Sequence, residues 1–317
     1  MEDVNKKWIS GFWRRIGAAF IDVIILFVVG LCLGLFFGDV FAQIGDWGKL
    51  VGFIIAILYF GVMNSYVTGG QTFGKMILNI KVVDAAGQVL TLPKSFLRYS
   101  VIGIPYFLNG LSGTEVLSES FLIYPFSMIV LGGLFSIAYL YVFNRMTRQS
   151  LHDLVVGSYV VNVNAPVQSV SPIWKPHFVI VGILFLLSAA LPSFTNGILE
   201  SQGLAGLRVT QAAINQHPAV RNSGVMVGST TVLSSDSGNK TVTFVNVTAQ
   251  LKKRTLVDSE DLARQFAKTL VDTFPEAKNK DVIHVTLIYG YNIGIASSTT
   301  RFSHRFDTAE LNANETK

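Results

Sequence analysis

The sequence predicts a polytopic α-helical membrane bundle of about five transmembrane helices, with a small cytoplasmic β-hairpin or sheet and a C-terminal soluble α+β domain. Composition is the first reason. Half of the 317 residues are hydrophobic and only 14% are charged, against roughly 25% charged in soluble domains; the mean hydropathy is +0.47. Placement is the second reason, since apolar runs suited to about 30 Å of hydrocarbon recur up to position 194. The third is a change of character near residue 200, where turn clusters and period-two alternation replace the long apolar runs.

Strong spans are expected at residues 16–37, 50–67, 121–143 and 178–194. A weaker one, 96–111, is short, contains Pro105 and begins beside Arg98. It either crosses the bilayer or lies as a re-entrant or interfacial helix. The basic residues favour crossing. With the N-terminus inside and five crossings, eleven of the twelve Lys and Arg before position 200 are cytoplasmic, Lys49 being the exception. Without that crossing, Arg145, Arg148 and Lys175 move outside, against the positive-inside rule. The expected setting is the inner membrane, with the N-terminus in and the C-terminal domain out. The first run is too long for a signal-peptide core and no A-x-A-like site follows it, so it reads as a retained helix.

Between the second and third spans, Ile77-Leu-Asn-Ile-Lys-Val-Val83 and Gln88-Val-Leu-Thr-Leu92 flank Asp84-Ala-Ala-Gly87, the pattern of a hairpin with a Gly-terminated turn. A further strand at 157–163 would complete a small sheet against the membrane face. The membrane domain then occupies residues 1–163, and a linker with the fifth helix occupies 164–199. The outer domain, 200–306, reads as helix-strand-strand twice over. The first half has a helix at 203–215 and strands at 225–233 and 241–251 across a turn cluster at 234–239. The second has a helix at 258–274 capped by Asp258 and strands at 282–289 and 293–302. That order predicts an α+β sandwich, followed by a polar tail at 307–317.

Polar residues in and beside the apolar runs carry the functional argument. Asp22 is the one charge between Ile16 and Phe37. A carboxylate at a helix centre costs about 2.5–3.5 kcal/mol on insertion scales, so something should face it. Arg15 stands seven residues earlier, on nearly the same face and about 10 Å away along the axis. Two readings stay open: a structural pair that fixes helix docking, or an acid that carries a cation or proton. Asn64, near the end of the second span, is a candidate for hydrogen bonding between helices. His152 and Asp153 form either a proton relay, imidazole titrating near neutrality, or a capped turn in which Asp153 bonds backbone amides or Arg145 and Arg148. Gly69-Gly-Gln-Thr-Phe-Gly-Lys75 spells most of a phosphate-binding loop, but Met76 replaces the Ser or Thr that would hold magnesium. Helix termination by the glycines, with Lys75 at the interface, is the expected role.

Four segments together resemble the RDD family of prokaryotic membrane proteins. They are Gly11-Phe-Trp-Arg-Arg-Ile-Gly-Ala-Ala-Phe-Ile-Asp22, Gly70-Gln-Thr-Phe-Gly-Lys75, Lys81-Val-Val-Asp84 and Gln149-Ser-Leu-His-Asp-Leu-Val-Val-Gly157. The family is named for an arginine at the start of the first helix, an aspartate within that helix and a second aspartate. By motif position these are Arg15, Asp22 and Asp153. The resemblance covers about residues 8–163 and implies a polytopic membrane protein with a role in transport, some members being linked to cation/proton exchange. It does not reach the fifth span or the outer domain, which are additions to the commonest short form.

The leading expectation is therefore small cation/proton exchange through Asp22. Its partners would be the lipid bilayer and monovalent cations or protons, and a homo-oligomer is one way for so small a bundle to enclose a path. The alternative is a membrane-anchored binding or scaffold protein whose outer domain recognises a protein partner. Other classes are not expected. Cys32 is the only cysteine, so no disulfide or thiolate metal site can form within the chain. His217, His284 and His304 lack metal-ligand spacing, and neither H-E-x-x-H nor G-x-S-x-G occurs. The basic residues cluster at the ends of apolar runs, as topology signals do and nucleic-acid patches do not. No enzyme activity, cofactor, metal or nucleic acid is expected.

Overall fold

The computed structural model describes residues 7–111, 120–201, 204–232 and 240–308. Three helical stretches among them are long and apolar enough to cross a membrane: Phe12–Met63, Ile123–Phe143 and Pro176–Ile198. The first contains two helices. Helix α1 (Phe12–Ile44) has 33 residues, about 50 Å at 1.5 Å per residue. Gly45 ends it at φ +60°, a left-handed conformation that glycine adopts without a Cβ clash. A single turn, Gly45–Trp47, leads into α2 (Gly48–Met63). Asp22 bonds Tyr59 and Leu26 packs in one cluster with Ala56, so α1 and α2 run antiparallel.

The segment expected at 96–111 is helix α4 (Leu92–Leu108), 17 residues long with Pro105 inside it. It runs antiparallel to α2 over nearly its whole length. Ser95 bonds the Phe60 carbonyl near one end, and Lys49 Nζ donates to the carbonyls of Asn109 and Gly110 at the other. Helix α5 (Ile123–Phe143) contains one π-helical turn, Met128–Gly132, and α7 (Pro176–Ser201) is longer than expected at both ends. The loop expected outside the membrane at 113–120 falls almost wholly beyond the described residues.

The hairpin expected at 77–92 forms its turn but not its second strand. Asp84 Oδ1 accepts from the amides of Ala86 and Gln88 at 2.9 and 2.8 Å, and Gly87 sits at φ +78°. Strand β1 (Ile80–Asp84) pairs instead with β2 (Ser158–Asn162), antiparallel, with Ile80 opposite Asn162 and Asp84 opposite Ser158. Residues 88–92 contribute only isolated bridges, Val83 to Val89 and Ser65 to Leu90. The physical reason is Pro93 in the first turn of α4: a proline there starts a helix and cannot donate to a ladder. Ile80, Val82 and Val160 seal the two-stranded sheet against Ala18 of α1. Short helices α3 (Phe73–Ile77) and α6 (Leu151–Val156) lead into β1 and β2.

The chain divides into two compact units. The first comprises Met1–Phe36, Asp46–Phe194 and Asn292–Ser297; the second comprises Phe37–Gly45, Thr195–Tyr291 and Ser298–Lys317. In the second, helix α8 (Gly206–Asn215) precedes β3 (Val220–Val232) and β4 (Lys240–Leu251). Helix α9 (Glu260–Thr273) precedes β5 (Val282–Asn292) and β6 (Ser297–Asp307). The sheet order is β3-β4-β5-β6. The central strands are parallel, Phe244 standing opposite Val282 and Gln250 opposite Ile288. A parallel pair needs a crossover, and α9 supplies it. Both helices cover one face, where Ile214, Phe266 and Leu270 pack on Val245, Val247, Ile283 and Leu287. Ser259, not Asp258, caps α9, its hydroxyl accepting from Leu262 N at 3.3 Å. The turn expected at 234–239 and nearly all of the tail at 307–317 lie outside the described residues.

Candidate functional site

The short helix α6 builds the first half of the site. Ser150, extended at φ −97°, opens it, and the Asp153 carboxylate three residues on accepts from Ser150 N at 3.3 Å, one arm of a capping box. The same carboxylate is buried and takes two guanidinium groups. Arg15 Nη2 approaches Oδ2 at 3.0 Å, and Arg98 Nη2 and Nε approach Oδ1 at 2.7 and 3.0 Å. Ser158 Oγ donates to Oδ1 at 2.9 Å. Arg15 also donates to the Arg148 carbonyl and lies 4.9 Å over the Tyr141 ring. Burial by itself would raise the Asp153 pKa, but the Arg98 and Arg15 guanidinium groups hold it well below the usual carboxylate range.

Asp22 forms the second half and is 1% exposed. Oδ1 accepts from Tyr59 OH at 2.7 Å and from Gly74 N at 2.8 Å, and Oδ2 accepts from Thr72 Oγ1 at 2.5 Å. All three donors are neutral. Thr72 is the N-cap of α3, so the segment that follows α2 curls its first turn around the carboxylate of α1. The approach requires glycine: a Cβ on Gly74 would lie 2.1 Å from the Ala18 carbonyl oxygen. Gly74→Ala is therefore expected to push α3 off α1, break the amide bond to Asp22 and cost about 3 kcal/mol or more, measured as a lowered unfolding temperature in detergent.

Lys75 is the residue that sequence reasoning misplaced. It is buried rather than at the interface. Its Nζ donates to Asn64 Oδ1 at 2.7 Å and reaches Thr72 Oγ1 at 3.5 Å. No carboxylate lies within ion-pair distance of it among the described residues. Burial, reinforced by Arg98, lowers its pKa to about 7, with Asp22 and Asp153 pulling the other way. The unfolded side chain keeps its proton up to about 10.5. Below pH 7 both states are protonated and the fold bears the cost of a buried ammonium. Between 7 and 10.5 the native state has released a proton that the unfolded state still binds, so stability rises with pH. Melting temperature is expected to climb between about pH 7 and about pH 9, and Lys75→Met should flatten that slope.

These groups meet around one cavity of about 320 Å³, whose wall includes Arg15, Asp22, Lys75, Arg98 and His152. Lys75 and Asp22, both in that wall, are joined by a continuous hydrogen-bonded chain through the Thr72 hydroxyl.

The RDD family model matches residues 9–157. The membrane half of this chain is an RDD family domain. Over 151 residues the chain is 27% identical to the uncharacterized protein YckC of Bacillus subtilis (strain 168), covering 48% of this chain and 83% of that relative. No solved structure matches the chain. Its long apolar helices and the family match over residues 9–157 together mark a membrane protein.

Within the RDD domain Arg15 and Asp22 line the cavity and Asp153 bonds Arg15, an arrangement that the spacing along α1 did not suggest. Arg15 does not pair with Asp22. Its carboxylate partner is Asp153, 138 residues away in sequence, while Asp22 is met by uncharged donors. Asp153 bonds neither Arg145 nor Arg148 through side chains; Arg98 takes that place. His152 does reach its neighbour, Nε2 standing 3.4 Å from Asp153 Oδ2. Burial drives the imidazole pKa down to about 3, so at neutral pH it is uncharged and its Nδ1 is buried without a partner. Asn64 does not join two membrane helices. It donates to Phe60 O in its own helix and accepts from Lys75. The only signal for Arg98 was a basic residue beside an apolar run, whereas Lys75 and Thr72 stood in the Gly70–Lys75 segment of the family resemblance with no role in the site assigned to either.

Proposed function

We propose that this protein is a proton-coupled transporter of the inner membrane, with the hydrogen-bonded chain Lys75–Thr72–Asp22 as its proton path. That chain, with both its ends in the cavity wall, is the observation that carries the reading. Lys75 donates to the hydroxyl and the hydroxyl donates to the carboxylate. Reversing the two bonds passes a proton from Lys75 to Asp22 with little movement of heavy atoms. A lysine whose pKa lies near 7 is matched to proton transfer at neutral pH. Intramembrane acids facing a bundle interior most often serve ions, protons or substrates.

The proposed topology has five crossings, α1, α2, α4, α5 and α7, with the N-terminus inside and the second unit outside. The antiparallel run of α4 along α2, tied at both ends, supports α4 as a crossing despite its length. The side of the basic residues supports the orientation. Exchange of the proton for a small monovalent cation, as the family resemblance implies, is one form of the activity.

The test is reconstitution into vesicles with an internal pH dye, an imposed pH gradient and a panel of monovalent cations. The native protein is expected to move protons above the rate of protein-free vesicles, and a cation partner would appear as a cation-dependent rate. A silent native protein would remove the transport reading and favour a membrane-anchored scaffold acting through its outer domain.

A further inference from the structure

We infer that the cavity binds an amphiphilic monocarboxylate, its carboxylate on Lys75 and its tail along Leu26, Phe60, Tyr99 and Ile102. This names a solute for the transport reading above and rests on it. Arg15, Lys75 and Arg98 face two carboxylates, Asp22 and Asp153. Asp153 is taken up by both guanidinium groups. Lys75 is left with two neutral oxygens for its three N–H donors. A buried ammonium without a counter-ion is costly, and an incoming carboxylate supplies one. A cation would meet three positive groups against two negative ones.

Shape and polarity narrow the class. The cavity of about 320 Å³ equals roughly ten water volumes at about 30 Å³ each, room for a solute of about ten heavy atoms. Leu26, Phe60, Tyr99 and Ile102 line it, so the part of the ligand beyond the charged group should be apolar. His152 helps to place the carboxylate within the cavity. It lines the same cavity, is 4% exposed and holds a partnerless Nδ1. With Nε2 turned to Asp153, Nδ1 is an acceptor that a carboxylate cannot satisfy, so the carboxylate's place is at Lys75 and not at His152.

Octanoate is the probe, with acetate and octylamine as the short-anion and opposite-charge controls, titrated by calorimetry into the full-length protein in a zwitterionic detergent. Octanoate is expected to bind the native protein at least about tenfold more tightly than either control, and at least about tenfold more weakly to Lys75→Met. Equal octanoate binding by that variant, octylamine or acetate binding as tight as octanoate, or no octanoate binding would each overturn the inference. If Lys75→Met does not fold, the native protein decides by pH. The titratable and charged groups that act on Lys75 are Arg15 and Asp22 on α1, Arg98 on α4, and His152 and Asp153 on α6. Octanoate affinity should fall as pH rises through neutrality and Lys75 loses its proton; a flat profile would contradict it. Proton movement in vesicles without octanoate binding would remove this inference and leave the transport reading standing.

Discussion

Replacing Asp153 by Asn is expected to destabilise the membrane unit by about 3–5 kcal/mol, the range for removing one partner of a buried ion pair. The substitution preserves size and leaves an acceptor oxygen, so the loss is electrostatic. Two buried guanidinium groups, Arg15 and Arg98, lose the one carboxylate within ion-pair distance of either among the described residues. The α6 cap survives only if the Asn oxygen is turned towards Ser150, which places the amide nitrogen towards a guanidinium. Thermal unfolding of detergent-purified protein measures the effect. A midpoint unchanged from native would show that Asp153 does not hold α1, α4 and α6 together.

Asp22→Asn is expected to behave in the opposite way, leaving the fold near native and abolishing proton movement. The Asn oxygen can still accept from Tyr59 or Gly74, and the Thr72 hydroxyl can rotate, because all three donors at this site are neutral. The loss in stability should stay near 1–2 kcal/mol, the scale of one or two altered hydrogen bonds. What disappears is the terminal proton acceptor of the chain from Lys75. A folded variant with the native rate in vesicles would eliminate Asp22 as a carrier and leave it as a docking residue.

The different fates of these two aspartates show what the sequence could and could not reveal. Asp22 was legible because a charge inside an apolar run has no other context, and its cost demands a partner. The partner was not legible. Helical spacing offered Arg15, whereas the actual donors come from α2 and from the cap and first turn of α3. Arg15 and Asp153 carry no local signal of pairing across 138 residues; only the family motif set them side by side. Lys75 sat behind two glycines that do adopt left-handed conformations, but α2 already ends at Met63, capped by Asn64, so neither the helix end nor the direction of the lysine was legible from them. Propensity also overstated the hairpin, because Pro93 commits the chain to α4 before a second strand can form. In the second unit the periodicities at 282–289 and 258–274 map directly onto buried faces, Ile283, Val285 and Leu287 on the strand and Leu262, Phe266 and Leu270 on the helix, so the elements could be ordered from them.

The central claim is that a hydroxyl joins two ionisable groups into a proton path, and Thr72→Val tests it most directly. Valine keeps the branched shape and all formal charges while deleting the bridging oxygen between Lys75 and Asp22. Proton flux should be measured in vesicles holding equal amounts of folded native and variant protein under the same imposed pH gradient. The account predicts a fall of at least about tenfold, the loss of one positioned proton-transfer group being worth about 10²–10⁴ in rate. An unchanged flux in the variant would contradict it.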